Sequence, residues 1–287
     1  MFFYHLIDGL FLGGLYASIA LGLTLVFGVM KMVNLAQGEF IIGSSYLSYT
    51  IVTRLSLDPL VSLLIVVPIV FAIGYIVQRT ILNPLMKKGQ ETLLVATFGI
   101  LMIAQTAFAL FFGNNTLALN APYTLTGITI FGDTVRTVYV IALGAAVLMV
   151  VGVYLGLTRL RFGKAVRAAA EDPAAAASVG IDVPLIYGLT FGLAAALSAV
   201  GGVIIGLSYG FAPTSGAEWL LRCFTVVVLG GMGSLWGALL GGILVGVIEE
   251  LGASIVGAQF RDLIVFGFLV LILIIRPQGL FGRKVSG

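Results

Sequence analysis

Charge is what this chain has least of: Asp, Glu, Lys and Arg make up 9% of its 287 residues, against about 25% in soluble domains. That scarcity excludes an ordinary hydrated surface. With 60% hydrophobic residues and a mean hydropathy of +1.16, the chain reads as an integral membrane protein whose partner is the lipid bilayer. It has one cysteine, Cys223, and one histidine, His5. An internal disulfide and a Cys/His metal cluster are therefore excluded, and a histidine triad has a lone candidate far from any motif. Neither an enzyme nor a cofactor is called for. The net charge of +3 and pI near 9.0 do not imply nucleic acid, because the basic residues sit at the ends of apolar segments.

The opening "MFFYHLIDG" has no Lys or Arg, so it lacks the basic region of a cleavable signal and reads as the start of a permanent helix. Apolar segments follow at 6–30, 34–53, 60–79, 92–112, 137–158, 185–208 and 259–275, with a glycine-rich stretch at 222–250. The fold class expected is a single all-α transmembrane domain over residues 1–287, a bundle of about seven full spans plus a re-entrant helix pair. An outside N-terminus and a re-entrant 222–250 put Lys31, Arg79, Lys87, Lys88, Arg159, Arg161, Lys164, Arg167, Arg276, Arg283 and Lys284 inside. Arg54, Arg136, Arg222 and Arg261 then lie outside, a split of 11 to 4. A single crossing at 222–250 would give 9 to 6, so the positive-inside rule favours re-entry. Gly230, Gly231, Gly233 and Ser234 are the expected break, between half-helices of about 11 and 16 residues.

The 38 glycines include copies four apart, at Gly9/Gly13, Gly152/Gly156, Gly188/Gly192, Gly202/Gly206/Gly210 and Gly233/Gly237/Gly241, which let helices approach closely. "VNLAQGEFIIGSSYLSY" places Asn34, Gln37, Ser44, Ser45 and Ser48 on one helical stripe, with Glu39 beside it. Two readings stay open. The stripe is an Asn34 N-cap plus interhelical hydrogen bonds, or it lies near a solute pathway, with Glu39 paired or capping a broken helix. Asp8, Glu249 and Glu250 read as boundary residues.

Between Arg159 and Asp172 stand six charged residues, and inserting them would cost on the order of 15 to 21 kcal/mol, so the 159–184 loop must be in water. Within "VRAAAEDPAAAASVGID", Asp172 is placed as an N-cap, Pro173 as the first helical residue, Ala174, Ala175, Ala176 and Ala177 as a short helix, and Gly180 as its stop. Small side chains would let another protein's groove approach. A plain connector would carry the same helix signals.

"RFGKAVRAAAEDPAAAASVGID" resembles the cytoplasmic coupling loop of ATP-driven importer permeases for branched-chain amino acids, and "VNLAQGEF" resembles their Asn-x-Ala-His-Gly-Glu motif. "VVVLGGMGSLWGALLGG" and the closing "RPQGLFG" are similar to the same group, and the likeness is strongest to its LivH-like branch. Gln37 stands where the family often has His, which leaves that position a hydrogen-bonding role. The resemblance implies a multi-pass subunit of a prokaryotic inner membrane that forms a translocation path for an amino acid. Its partners would be a second related permease, two cytoplasmic ATPases and an extracytoplasmic binding protein. Arg167, Glu171 and the Asp172–Gly180 helix would couple it to the ATPases. The chain has no G-x-x-x-x-G-K-[ST] motif, so nucleotide chemistry would belong to a partner. The alternative, an ion-coupled secondary transporter of a small solute, also uses broken helices but calls for more buried ionisable groups.

Overall fold

Residues 2–130, 133–276 and 279 are described by a computed structural model. The closing "RPQGLFG" run after Arg276 lies outside the described residues apart from Gly279, as do Arg283 and Lys284. The helices are α1 (Phe2–Met30), α2 (Gln37–Leu55), α3 (Pro59–Val77), α4 (Asn83–Met86), α5 (Gln90–Phe112), α6 (Thr137–Arg159), α7 (Arg161–Glu171), α8 (Pro173–Ser178), α9 (Val183–Ser208), α10 (Ser215–Gly230), α11 (Leu235–Val256) and α12 (Arg261–Ile275). A π-helical turn, Gln78–Leu82, joins α3 to α4 without a break. A hairpin of β1 (Gly127–Ile130) and β2 (Asp133–Arg136), with Gly127 opposite Arg136, links α5 to α6.

Among the described residues, seven helical stretches are long and apolar enough to cross a membrane: Tyr4–Met30, Pro59–Met86, Gln90–Phe112, Thr137–Arg159, Val183–Ser208, Leu235–Val256 and Ala258–Ile275. This is a multi-pass, all-α membrane protein. The number matches the sequence expectation, but one member differs: α2 is replaced by α11. The polar stripe dilutes the hydropathy of α2, whereas the half-helices around the glycine break are longer than expected, 16 and 22 residues. Gly237 and Gly241 lie inside α11, where they serve packing and leave the helix unbroken.

The centre of the bundle is α1 and α9, each with 83% of its apolar window buried, while the windows of α5 and α12 are only 17% and 11% buried. Glycines set the spacing. A Cβ on Gly9 would lie 2.7 Å from the Cα of Val247, and one on Gly13 would strike Ile243, so α1 and α11 pack backbone to backbone in antiparallel fashion. Gly28, near the end of α1, touches Gly233 in the break, whose backbone at Gly231 and Gly233 has φ of +83° and +85°. Glycine alone adopts that conformation without strain. A Cβ on Gly152, by contrast, would meet nothing, and Gly156 makes its close approach through its carbonyl, which a Cβ placed on Gly163 of α7 would strike, so the four-residue spacing of this pair does not bring two long helices together.

The hairpin end of the bundle is held by local chemistry. Asp58 caps α3 by accepting from Leu60 N–H at 2.8 Å and also accepts from the Tyr123 hydroxyl at 2.8 Å. Burial first, then that bond, raises the Tyr123 hydroxyl above the ordinary tyrosine range.

Candidate functional site

Three groups of residues stand apart from the apolar packing: the start of α2, a charged cluster joining α1, α10, α11 and α12, and the α7–α8 loop.

After α1 the chain turns back at Lys31, whose φ of 53° is left-handed, and runs without helix to Ala36. A Cβ on Gly22 would meet Gln37 Nε2 at 2.6 Å and the Ala194 carbonyl at 2.5 Å. Gly22 stands eight residues before the end of α1, about 12 Å along its axis, so α2 begins well inside the bundle. Irregular backbone at that depth is tolerated only where protein satisfies it, and here it does. Asn34 Oδ1 accepts from Ala36 N–H at 3.1 Å, Asn34 Nδ2 donates to Gln37 Oε1 at 3.1 Å, and Gln37 Nε2 donates to Ser198 Oγ in α9. Asn34 thus braces the turn. The N-cap position itself is Ala36, with no side-chain cap.

The rest of the stripe divides by partner. Ser45 donates to the Gly202 carbonyl of α9 at 2.7 Å, and Ser48 shares a 2.7 Å hydrogen bond with Ser62 of α3. Ser44 returns its proton to Phe40 O at 2.6 Å. Glu39 lies off the stripe, as its position on the helical wheel requires, and faces α5 and α10: its Oε1 accepts from Gln105 Nε2 at 3.2 Å, and its carboxylate packs on Gly216. Glu39 and Ser44 line a chamber between α2, α3 and α5; Asn34, Gln37 and Ser48 are absorbed in bracing or interhelical bonds.

Sequence reasoning missed the charged cluster. Glu249 is buried within the bundle: it is 2% exposed, accepts from the Tyr16 hydroxyl at 2.5 Å and lies 3.7 Å from Arg261, which also pairs with Glu250 at 2.9 Å. Arg222 binds Glu218 one turn earlier and Asp262 of α12 at 2.6 Å, and its guanidinium stacks 5.1 Å from the Trp219 ring centre. Tyr16 stands 233 residues from Glu249, and no local pattern joins them.

In the loop, α7 was also unforeseen, although Gly163, Val166 and Ala169 at three-residue spacing are its buried face. Arg161, Lys164, Arg167 and Glu171 are exposed on the other side. Asp172 then starts α8, with Oδ1 accepting from Ala174 N–H at 2.9 Å and Ala175 N–H at 3.0 Å, and Pro173 is the first helical residue. The helix ends in a Schellman motif: Gly180 N–H bonds Ala177 O at 3.0 Å, Ile181 N–H bonds Ala176 O at 3.1 Å, and Gly180 has φ of +86°. Ala176 is 3% exposed and turned inward, so the free face of α8 consists of Ala174, Ala175 and Ala177.

Comparison with known proteins follows the same lines. A family model described as "Branched-chain amino acid transport system / permease component" matches residues 5–275. The high-affinity branched-chain amino acid transport system permease protein BraD of Pseudomonas aeruginosa is 36% identical over 97% of this chain and 95% of its own length. The corresponding protein LivH of Escherichia coli K12 is 30% identical, covering 98% and 96%. LivM, a permease protein of that system in Escherichia coli K12, is 33% identical over 52% of this chain and 35% of its own length. No solved structure matches. With a polytopic helical bundle and a family match over residues 5–275, the chain belongs to the family of branched-chain amino acid transport permease components.

Proposed function

We propose that this chain is the membrane subunit of an ATP-binding-cassette importer in a prokaryotic inner membrane, carrying branched-chain or other small amino acids and docking cytoplasmic ATPase subunits through α8. The observation that carries the docking is an exposed, capped helix of small residues set in a charged loop. Its cap and its glycine stop define its ends, and its free alanine face offers no bulk against a partner's groove. The likeness to LivM over half the chain supports a second, related permease beside this one. An extracytoplasmic binding protein completes the importer.

The return of 222–250 to one face, on which the charge split depends, is supported by the packing of its two arms. The helices α10 and α11 form an antiparallel hairpin in which Gly230 packs on Gly237 and Gly241 on Val226, with the break beside Gly28 near the end of α1. Residues 215 and 256 then belong on one face, as a re-entrant pair requires. Movement of the loop has a route inward. The Tyr187 hydroxyl of α9 donates to Ala169 O of α7 at 3.4 Å, and α9 holds Gln37 and Ser45 of α2. A push on α8 therefore loads the helix that anchors the broken segment, and coupling is the difference in these contacts between two states.

The test is Ala175→Trp in the reconstituted importer. Copurification of ATPases with the wild-type chain is expected, and the variant should insert and fold while ATPase capture, substrate-stimulated hydrolysis and uptake fall together. Full capture and full uptake with Trp at position 175 would make α8 a connector. Wild-type complexes without any ATPase would favour the ion-coupled alternative.

A further inference from the structure

The chamber between α2, α3 and α5 has a volume of about 380 Å³, within the range of small-molecule sites. Its wall is almost wholly apolar, from Phe40, Ile73, Phe108 and Phe112 among others, but two of its lining residues carry buried polar atoms without hydrogen-bond partners among the described residues, Glu39 Oε2 and the Tyr46 hydroxyl. Glu39 is 4% exposed and forms no ion pair among the described residues. A buried carboxylate with one weak amide donor is costly unless something else completes it.

The two groups are positioned together. Glu39 and Tyr46 are seven residues apart, two turns along one face of α2, and a helical side chain leans back toward the N-terminus, which brings the hydroxyl toward the carboxylate. The Tyr46 ring is clamped by Phe112 at 4.5 Å, Phe211 at 4.9 Å and Phe108 at 5.1 Å between ring centres. Its hydroxyl is therefore held in place before any ligand arrives. Gly43, between the two groups, leaves only the room that Phe108 allows: a Cβ there would stand 2.9 Å from Phe108 Cζ.

We propose that this chamber is a transient binding site for the ammonium group of a short aliphatic amino acid, with Glu39 as counter-charge, Tyr46 as donor to the ligand's carboxylate and the phenylalanine wall against its side chain. The assignment rests on the transport reading above and adds the site. Among the described residues no cation in the wall neutralises Glu39, and none is there to fix the ligand's carboxylate. Such a site recognises the amine strongly and the acid weakly, which suits a solute that must leave again.

The experiment uses the assembled permease–ATPase complex in nanodiscs, without binding protein, and the apolar carboxyl reagent dicyclohexylcarbodiimide, with modification at Glu39 read by mass spectrometry. L-Leucine and 3-methylbutylamine should each slow labelling by about tenfold at ten times their Kd, whereas 4-methylpentanoate, which keeps the side chain and lacks the amine, should not. Ile73→Trp fills the chamber from its half-exposed wall and should abolish protection while ATPase subunits still copurify. Equal protection by 4-methylpentanoate, or none by either amine, overturns the site. Leucine uptake by the wild-type importer, measured in parallel with binding protein present, reports on the transport reading separately: uptake without protection sinks the site alone.

Discussion

Glu39 and Glu249 are both carboxylates buried in this bundle, 4% and 2% exposed, and they are satisfied in opposite ways. Glu249 has a tyrosine hydroxyl at 2.5 Å and Arg261 beside it, in a cluster that also holds Arg222, Glu218, Glu250 and Asp262. Glu39 has one amide donor at 3.2 Å and a second oxygen with nothing. Charges closed on one another tie helices together, and breaking such a set leaves an orphan charge. An open carboxylate contributes no such tie, so its retention calls for something that comes and goes. The charged cluster is therefore assigned to holding α1, α10, α11 and α12 in register, and the α2 chamber to solute.

The sharpest way to break that comparison is stability. Arg222→Met removes the cation shared by Glu218 and Asp262 in a site where Arg222 itself is 8% exposed. Loss of one partner from a buried ion pair costs about 3 to 5 kcal/mol; with both carboxylates of this set half-exposed, the lower end is expected. Glu39→Gln keeps shape and removes a buried charge that has no counter-ion among the described residues, so it should leave stability unchanged or raise it. Thermal unfolding of the detergent-solubilised complex, followed by intrinsic fluorescence, ranks the two. A Glu39→Gln loss as large as that of Arg222→Met would place Glu39 among the structural ties.

Next in size is Gln37→Leu, which probes the broken start of α2 between the two regions. The change removes the acceptor of Asn34 Nδ2 and the donor to Ser198. Stranding a buried polar group costs about 1 to 3 kcal/mol. Uptake should fall more than assembly with partner subunits, because the damage lies in the segment that α9 holds inside the bundle. Wild-type uptake in this variant would reduce Asn34 and Gln37 to packing.

What could be read from the sequence follows the distance over which each feature is encoded. Asp172, Pro173 and Gly180 specify α8 within nine residues, and helix caps are satisfied by backbone amides two or three positions away. Gly231 and Gly233 announced the break in the same way. The expected lengths of α10 and α11 fall short at their outer ends, where bounds at 222 and 250 stop the apolar run at Arg222 and Glu250, whereas the helices continue to Ser215 and Val256. The β1–β2 hairpin drew no expectation, though "GITIFGDTVR" alternates around a Gly-Asp pair. Tyr16 and Glu249, 233 residues apart, could not be joined from periodicity, nor could Gln105 be assigned to Glu39 across 66. The stripe pointed correctly to α2, but its wheel separates faces and not the helices they meet.

Asp172 supplies a third carboxylate and the smallest expected effect. It is exposed, and its partners are neither cations nor a solute but the N–H groups of Ala174 and Ala175, so water can replace much of what it provides. Asp172→Ala should destabilise α8 by about 0.5 to 2 kcal/mol, and Asp172→Asn, which retains an acceptor, by less. The direct measurement is hydrogen exchange at residues 174–178, where faster exchange in Asp172→Ala and near-native exchange in Asp172→Asn are expected. If α8 docks as proposed, ATPase affinity should weaken by no more than about 30-fold, the factor corresponding to 2 kcal/mol, because the partner's groove can still fold the helix on binding. A complete loss of capture with normal insertion would mean that the carboxylate itself touches the ATPase, making charge rather than shape the basis of docking. Equal loss in Asp172→Asn would separate that outcome from a helix-capping effect, since the amide caps the helix but carries no charge.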